Sequence, residues 1–93
     1  MSLDDRALTF QLQAGNLDAL GHLFDRHWAQ VYRTALAVTH DPAAADDIAQ
    51  EVFLRLHKHA ARIDLTLPLL PWLYRVTVNL SCTWLKRQSR WLD

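Results

Sequence analysis

The sequence predicts an all-α domain: a compact bundle of three long helices preceded by a short one. Three observations carry this. Apolar residues recur at intervals of three and four along most of the chain, 51% of residues are hydrophobic, and only two Gly and three Pro interrupt 93 residues. A strand-and-turn architecture would need alternation and more turn residues. A chain of this length can bury one core without staples, so a single domain over residues 1–93 is expected.

Asp4 and Asp5 precede a short periodic stretch through Leu8, Leu12 and Gln13, and Gly15 stands where a glycine ends a helix. Asn16 or Asp18 can cap a second helix, whose stripe is Leu20, Leu23, Phe24, Trp28, Val31, Tyr32, Ala35 and Val38. His40, Asp41 and Pro42 form the next boundary, with Asp41 as N-cap and Pro42 in the first turn. The third helix is expected to run to about Ile63 and has the most regular stripe: Ala45, Ile48, Ala49, Val52, Phe53, Leu56, Ala60 and Ile63. Asp64 to Leu70 contains Pro68 and precedes Pro71, which predicts an unusually apolar loop. A fourth helix should begin near Pro71 or Trp72 and continue through Leu73, Val76, Leu80 and Trp84 toward Arg90.

Several function classes find no support. The single Cys82 cannot form an internal disulfide, which fits a reducing compartment, and no apolar run approaches a membrane span. Asp4, Asp5 and Arg6 stand where a secretory signal would be basic and then apolar, so a cytoplasmic protein without membrane contact is expected. His57 and His59 are two apart, roughly 200° around a helix, and His22 and His27 are also poorly spaced, so no metal site is expected. With no nucleophile grouping, phosphate-cradling Gly loop or paired-carboxylate cleft, neither an enzyme nor a cofactor is expected.

The net charge of zero hides an asymmetry. Met1 to Glu51 holds eight acidic residues against three basic, about −5, whereas Val52 to Asp93 holds seven basic against two acidic, about +5. Both segments could be solvated helix faces, or each could meet a partner of opposite charge. On the third helix, Asp47, Gln50, Glu51, Leu54 and Lys58 form a second ordered face, either a solvated surface or a docking surface for a basic helix. On the fourth, Arg75, Lys86, Arg87 and Arg90 interleave with Trp72, Tyr74, Trp84 and Trp91, a mixture of cations and aromatic faces suited to unpaired nucleic acid. Trp72 and Trp84 also lie on the core stripe. Asn79 sits among apolar residues, where it either bonds neighbouring backbone or faces a ligand.

Two stretches carry a family resemblance. The run from Ala45 to Leu56, with Asp47, Gln50, Glu51 and Phe53, resembles the A-x-D-x-x-Q-E-x-F-x-x-L signature of region 2 of bacterial sigma factors of the extracytoplasmic-function (ECF) type. The run Trp72 to Asn79 resembles that family's W-L-Y-R-x-x-x-N stretch, and the likeness extends from about Leu20 to Arg90. The resemblance implies that the helix bearing Asp47, Gln50, Glu51, Leu54 and Lys58 docks on the clamp helices of the largest subunit of core RNA polymerase. It implies further that Trp72, Arg75, Asn79, Lys86, Arg87 and Arg90, with the loop before them, engage the non-template strand of the promoter minus-ten element and help to melt it. The resemblance also implies an anti-sigma protein as a candidate further partner.

The chain departs from the family pattern at Ile63 and Leu69, where many members carry aromatic residues, and at Thr83, where many carry an acid. Its loop, with Leu65, Leu67, Leu69 and Leu70, is poor in groups that could read a base edge. The second helical domain, which in this family reads the minus-thirty-five element, is absent before Asp93, as expected of a fragment or of a reduced sigma-like regulator. Rival readings are an interaction module that binds polymerase or an anti-sigma protein without melting DNA, and a bundle that self-associates through its apolar loop and Trp91.

Overall fold

Each of the first three helices begins where a short acid or amide can take up free backbone N–H groups. Asp4 accepts from the Ala7 amide at 2.8 Å, Asn16 from Asp18 at 3.1 Å, and Asp41 from Ala43 and Ala44 at 3.0 and 3.1 Å. Such a cap is worth about 1 kcal/mol. The computed structural model describes residues 3–92, with side chains described as far as Ser89. The helices are α1 (Asp5–Gln13), α2 (Leu17–Thr39), α3 (Pro42–His59) and α4 (Leu69–Leu92), with a turn of 3-10 helix at Ala60–Arg62. Among the described residues there is no strand, and the all-α bundle is the one the periodicity predicts.

Gly15 ends α1 with φ +93°, a left-handed conformation that glycine adopts without a Cβ penalty. Its amide bonds the Leu12 carbonyl at 3.0 Å, and the Asn16 amide bonds Gln11 at 3.0 Å. This pair of bonds closes the helix end in a Schellman arrangement.

α2 is the central element and packs against α1, α3 and α4. Ala19, Leu23, Val31 and Ala35 of α2 meet Ala45, Ala49, Val52, Phe53 and Leu56 of α3 in one core that α1 closes with Leu8 and Leu12. Half-buried Phe24 and Trp28 form an aromatic cluster with Phe53, with ring centroids 5.0 and 6.5 Å from it and 4.8 Å from each other. On α4 the core face is partly polar. Thr77 and Ser81 are fully buried, and their hydroxyls donate to the carbonyls of Leu73 and Thr77, one turn back, at 2.6 and 2.7 Å. These bonds remove the cost of burying them, and their small size lets α4 approach its neighbours closely.

Two boundaries differ from expectation. α3 stops at His59 instead of Ile63, because the chain tightens into the 3-10 turn and Gln13 reaches across from α1 to take the freed carbonyls. Its Nε2 donates to Ala60 at 2.8 Å and to Ile63 at 3.0 Å. The loop is shorter than Asp64 to Leu70, since α4 begins at Leu69. Pro71 falls in the first turn, where an amide would have no helical partner, and Leu69 is buried in the core, so burial draws the start of the helix forward.

Candidate functional site

With one side of α3 committed to the core, its opposite side is the acidic face. Asp47, Gln50, Leu54 and Lys58 are exposed there and Glu51 is half-buried. Two i,i+4 contacts order this surface: Gln50 Nε2 donates to Asp46 at 3.0 Å, and Arg55 Nε donates to Glu51 at 3.2 Å. Leu54 is 61% exposed among these polar groups, an apolar centre with a charged rim.

On α4, Arg75, Asn79, Lys86 and Arg87 all reach solvent. Trp72 and Trp84 are half-buried and pack against the core, so each offers only part of its ring to a ligand. Tyr74, in contrast, is 63% exposed. The Asn79 amide is not lodged among apolar groups as its sequence neighbours suggested, because the bundle buries Thr77 and Ser81 and turns position 79 outward. The side chains of Arg90 and Trp91 lie outside the described residues.

Tertiary packing brings part of the two sets together. Asp47, Glu51 and Arg55 on α3 and Asn79, Thr83 and Arg87 on α4 line one groove, with Ala44, Ile48, Leu80 and Trp84 as its apolar walls. Gln50, Leu54 and Lys58 do not line this groove, nor do Trp72, Arg75 and Lys86.

A second cleft lies between α1 and the loop. Its walls are Asp4, Asp5, Arg6, Thr9 and Arg26 on one side and Ile63 to Leu65 and Leu67 to Leu70 on the other. Sequence reasoning assigned no role to the group that holds this wall. Arg26 Nη1 donates to Asp5 at 2.9 Å, and His27 Nε2, on a side chain only 8% exposed, lies 2.8 and 2.9 Å from the two oxygens of the same carboxylate. Burial of the Asp5 carboxyl works to raise its pKa, but the hydrogen bonds from His27 and Arg26 and their charges outweigh it and hold the group below its usual value. The available signal was spacing: His27 stands four residues from both Leu23 and Val31, on the core stripe. Across the cleft, the exposed Asp64 accepts from Thr66 N at 2.8 Å and from its hydroxyl at 2.6 Å, and these bonds lower its pKa. Among the described residues, no cluster of three or more His, Cys, Asp or Glu could hold a metal ion, and no helix is long and apolar enough to cross a membrane.

Comparison with known proteins decides the family. The profile of sigma-70 region 2 matches residues 23–90, which covers most of α2 and all of α3, the loop and nearly all of α4. The chain belongs to the sigma-70 region 2 family. Similar relatives include the probable RNA polymerase sigma factor RfaY of Xanthomonas campestris pv. campestris, 41% identical over 73 residues, which cover 78% of this chain and 18% of that protein. The ECF RNA polymerase sigma factor SigW of Bacillus subtilis is 27% identical over 79 residues, covering 85% of this chain and 42% of SigW. The ECF sigma factor SigL of Mycobacterium tuberculosis is 41% identical over 59 residues, covering 62% of this chain and 33% of SigL. This region 2 domain is thus of the ECF type, and the chain spans less than half the length of these relatives. Its fold is similar to an NMR structure of an engineered region 2 of sigmaE in complex with GTAAAA, with a TM-score of 0.90, 27% identity, and coverage of 100% of this chain and 99% of the other.

Proposed function

We propose that this domain acts in transcription initiation by docking on core RNA polymerase through α3 and by recognising and opening the promoter minus-ten element through α4 and the loop before it. One observation carries the reading: a basic and aromatic outer face on α4 stands beside an acidic outer face on α3, in a fold similar to a region 2 bound to GTAAAA. Asp47, Gln50, Glu51, Leu54 and Lys58 meet the clamp helices of the largest subunit, where arginine forks can bond the carboxylates and Leu54 is desolvated. Arg75, Lys86, Arg87 and Arg90 track phosphates of the non-template strand, Asn79 bonds a base or the backbone, and Trp72 offers the exposed part of its ring for stacking. An anti-sigma protein would compete for the same α3 face, and the site of action is the cytoplasm.

The test has two arms. The domain should co-purify with core polymerase, and it should bind single-stranded minus-ten-like DNA more tightly than the same sequence as duplex, because unpairing costs free energy. Failure to retain polymerase removes the docking half; equal affinity for both DNA forms removes the opening half. The loop supports a second reading, an interaction module that binds polymerase or an anti-sigma protein without melting. Its two polar side chains, Asp64 and Thr66, are bonded to each other, which leaves Ile63, Leu65, Leu67 and Pro68 of the loop to meet a base. Retention of polymerase without any strand preference would favour that module.

A further inference from the structure

We infer that α1 carries a nucleotide seat, built from Phe10 and Arg6, which extends the path of single-stranded DNA from the loop cleft onto the N-terminal helix. The inference rests on the proposal that the domain holds a single strand. It goes beyond that proposal and beyond the family match, since α1 lies wholly ahead of residues 23–90.

Arg6, Phe10 and Gln13 are spaced by four and three, so they share one stripe of α1. Gln13 fixes where that stripe lies, because its bonds to the Ala60 and Ile63 carbonyls at 2.8 and 3.0 Å hold α1 in register against the segment leading into the loop. One and two turns back, Phe10 and Arg6 line a shallow depression with Asp4, Ala7 and Leu65. Asp4, Arg6 and Leu65 also line the loop cleft, so the two hollows adjoin.

The other polar side chains around this cleft are already engaged. Asp4 caps α1, Asp5 holds Arg26 and His27, the Thr9 hydroxyl donates to the Asp5 carbonyl at 2.7 Å, and Asp64 holds Thr66. Arg6 is exposed and has no side-chain partner among the described residues, and Phe10 is 62% exposed beside it. A free cation one turn from a bare aromatic face is the minimal equipment for a phosphate and a stacked base. A phenyl ring cannot read a base edge. The seat therefore accepts any base and takes a nucleotide that flanks the recognised element.

Fluorescence anisotropy on the whole chain tests this with GTAAAA, or with a hexamer selected from a random pool if GTAAAA does not bind. The same hexamer is then extended by three thymidines on its 5′ or its 3′ side. One extension should tighten binding by the parent several-fold. Phe10→Ala should lose roughly 5-fold or more on that extended strand, within the range for one stacked base, and Arg6→Ala should reduce its salt dependence. Both variants should bind the bare hexamer as the parent does and keep the parent's thermal midpoint, since both side chains are exposed. A 2-aminopurine in the extension should be quenched by the parent and not by Phe10→Ala. The inference is overturned if neither extension adds affinity, if Phe10→Ala binds the extended strand as well as the parent, or if it weakens only polymerase retention, which would make this face a protein contact. A parent that binds no strand at all overturns the proposed DNA function along with the seat.

Discussion

Replacing both Asp47 and Glu51 by Lys separates a docking surface from a structural one, because the structure sets the two costs far apart. Asp47 is exposed and makes no side-chain hydrogen bond among the described residues, so its change should fall within about 0.5 kcal/mol. Glu51 pairs with Arg55 at 3.2 Å, but both side chains are 46% exposed, and an i,i+4 pair in that setting is worth only about 0.3–0.5 kcal/mol. Reversal replaces this attraction with a repulsion of similar size. The folding cost is therefore about 1 kcal/mol, a midpoint shift of roughly 4–8 °C for a domain of this size. At the polymerase interface, like charges brought together cost several kcal/mol, so affinity should fall by about a hundredfold or more. Thermal denaturation by circular dichroism gives the first quantity, and titration of labelled domain with core polymerase at fixed salt gives the second. Neutral Asp47→Asn with Glu51→Gln should lie between parent and reversal in affinity. Parent-like binding by the Lys variant would refute the docking assignment, and loss of the cooperative transition would make the stripe structural.

Phe53→Ala should cost about 3–5 kcal/mol, since Phe53 is only 3% exposed and packs against Phe24 and Trp28; a urea midpoint equal to the parent's would contradict its place in the core. Asp5 titrates below its ordinary value of 3.8, so the stability it contributes is present above that value and is lost as pH falls through the lower folded one. Asp5→Asn should accordingly flatten the acid limb of a stability–pH profile below about pH 5, and an unchanged acid limb would show that the contact with Arg26 and His27 is not coupled to folding. The affinity of the domain for single-stranded minus-ten-like DNA should fall linearly on a log–log plot against salt, and Arg87→Ala should lessen the slope by less than one unit of charge. A salt-independent affinity would rule out phosphate tracking by α4.

The sequence by itself determined the number and order of the helices, most of their core stripes and the opposed charge of the segments before and after Val52. These are local properties: caps such as Asp41, the Gly15 terminus and the three-and-four spacing from Ala45 to Leu56 act through neighbours within a turn or two. The motif runs around Gln50 and Trp72 also make the family legible in the sequence. The remainder depended on contacts between residues far apart in the chain. Gln13 meets Ala60 and Ile63 across 47 and 50 positions, Asp5 meets His27 across 22, and the groove that joins Asp47 and Glu51 to Asn79 and Arg87 exists only because α3 and α4 pack side by side. Burial of Leu69 set the start of α4 against the turn signal of Pro71, since the free energy of covering a leucine outweighs a weak local preference. Periodicity says which side of a helix is buried; only the packing of the helices decides which exposed sides become neighbours.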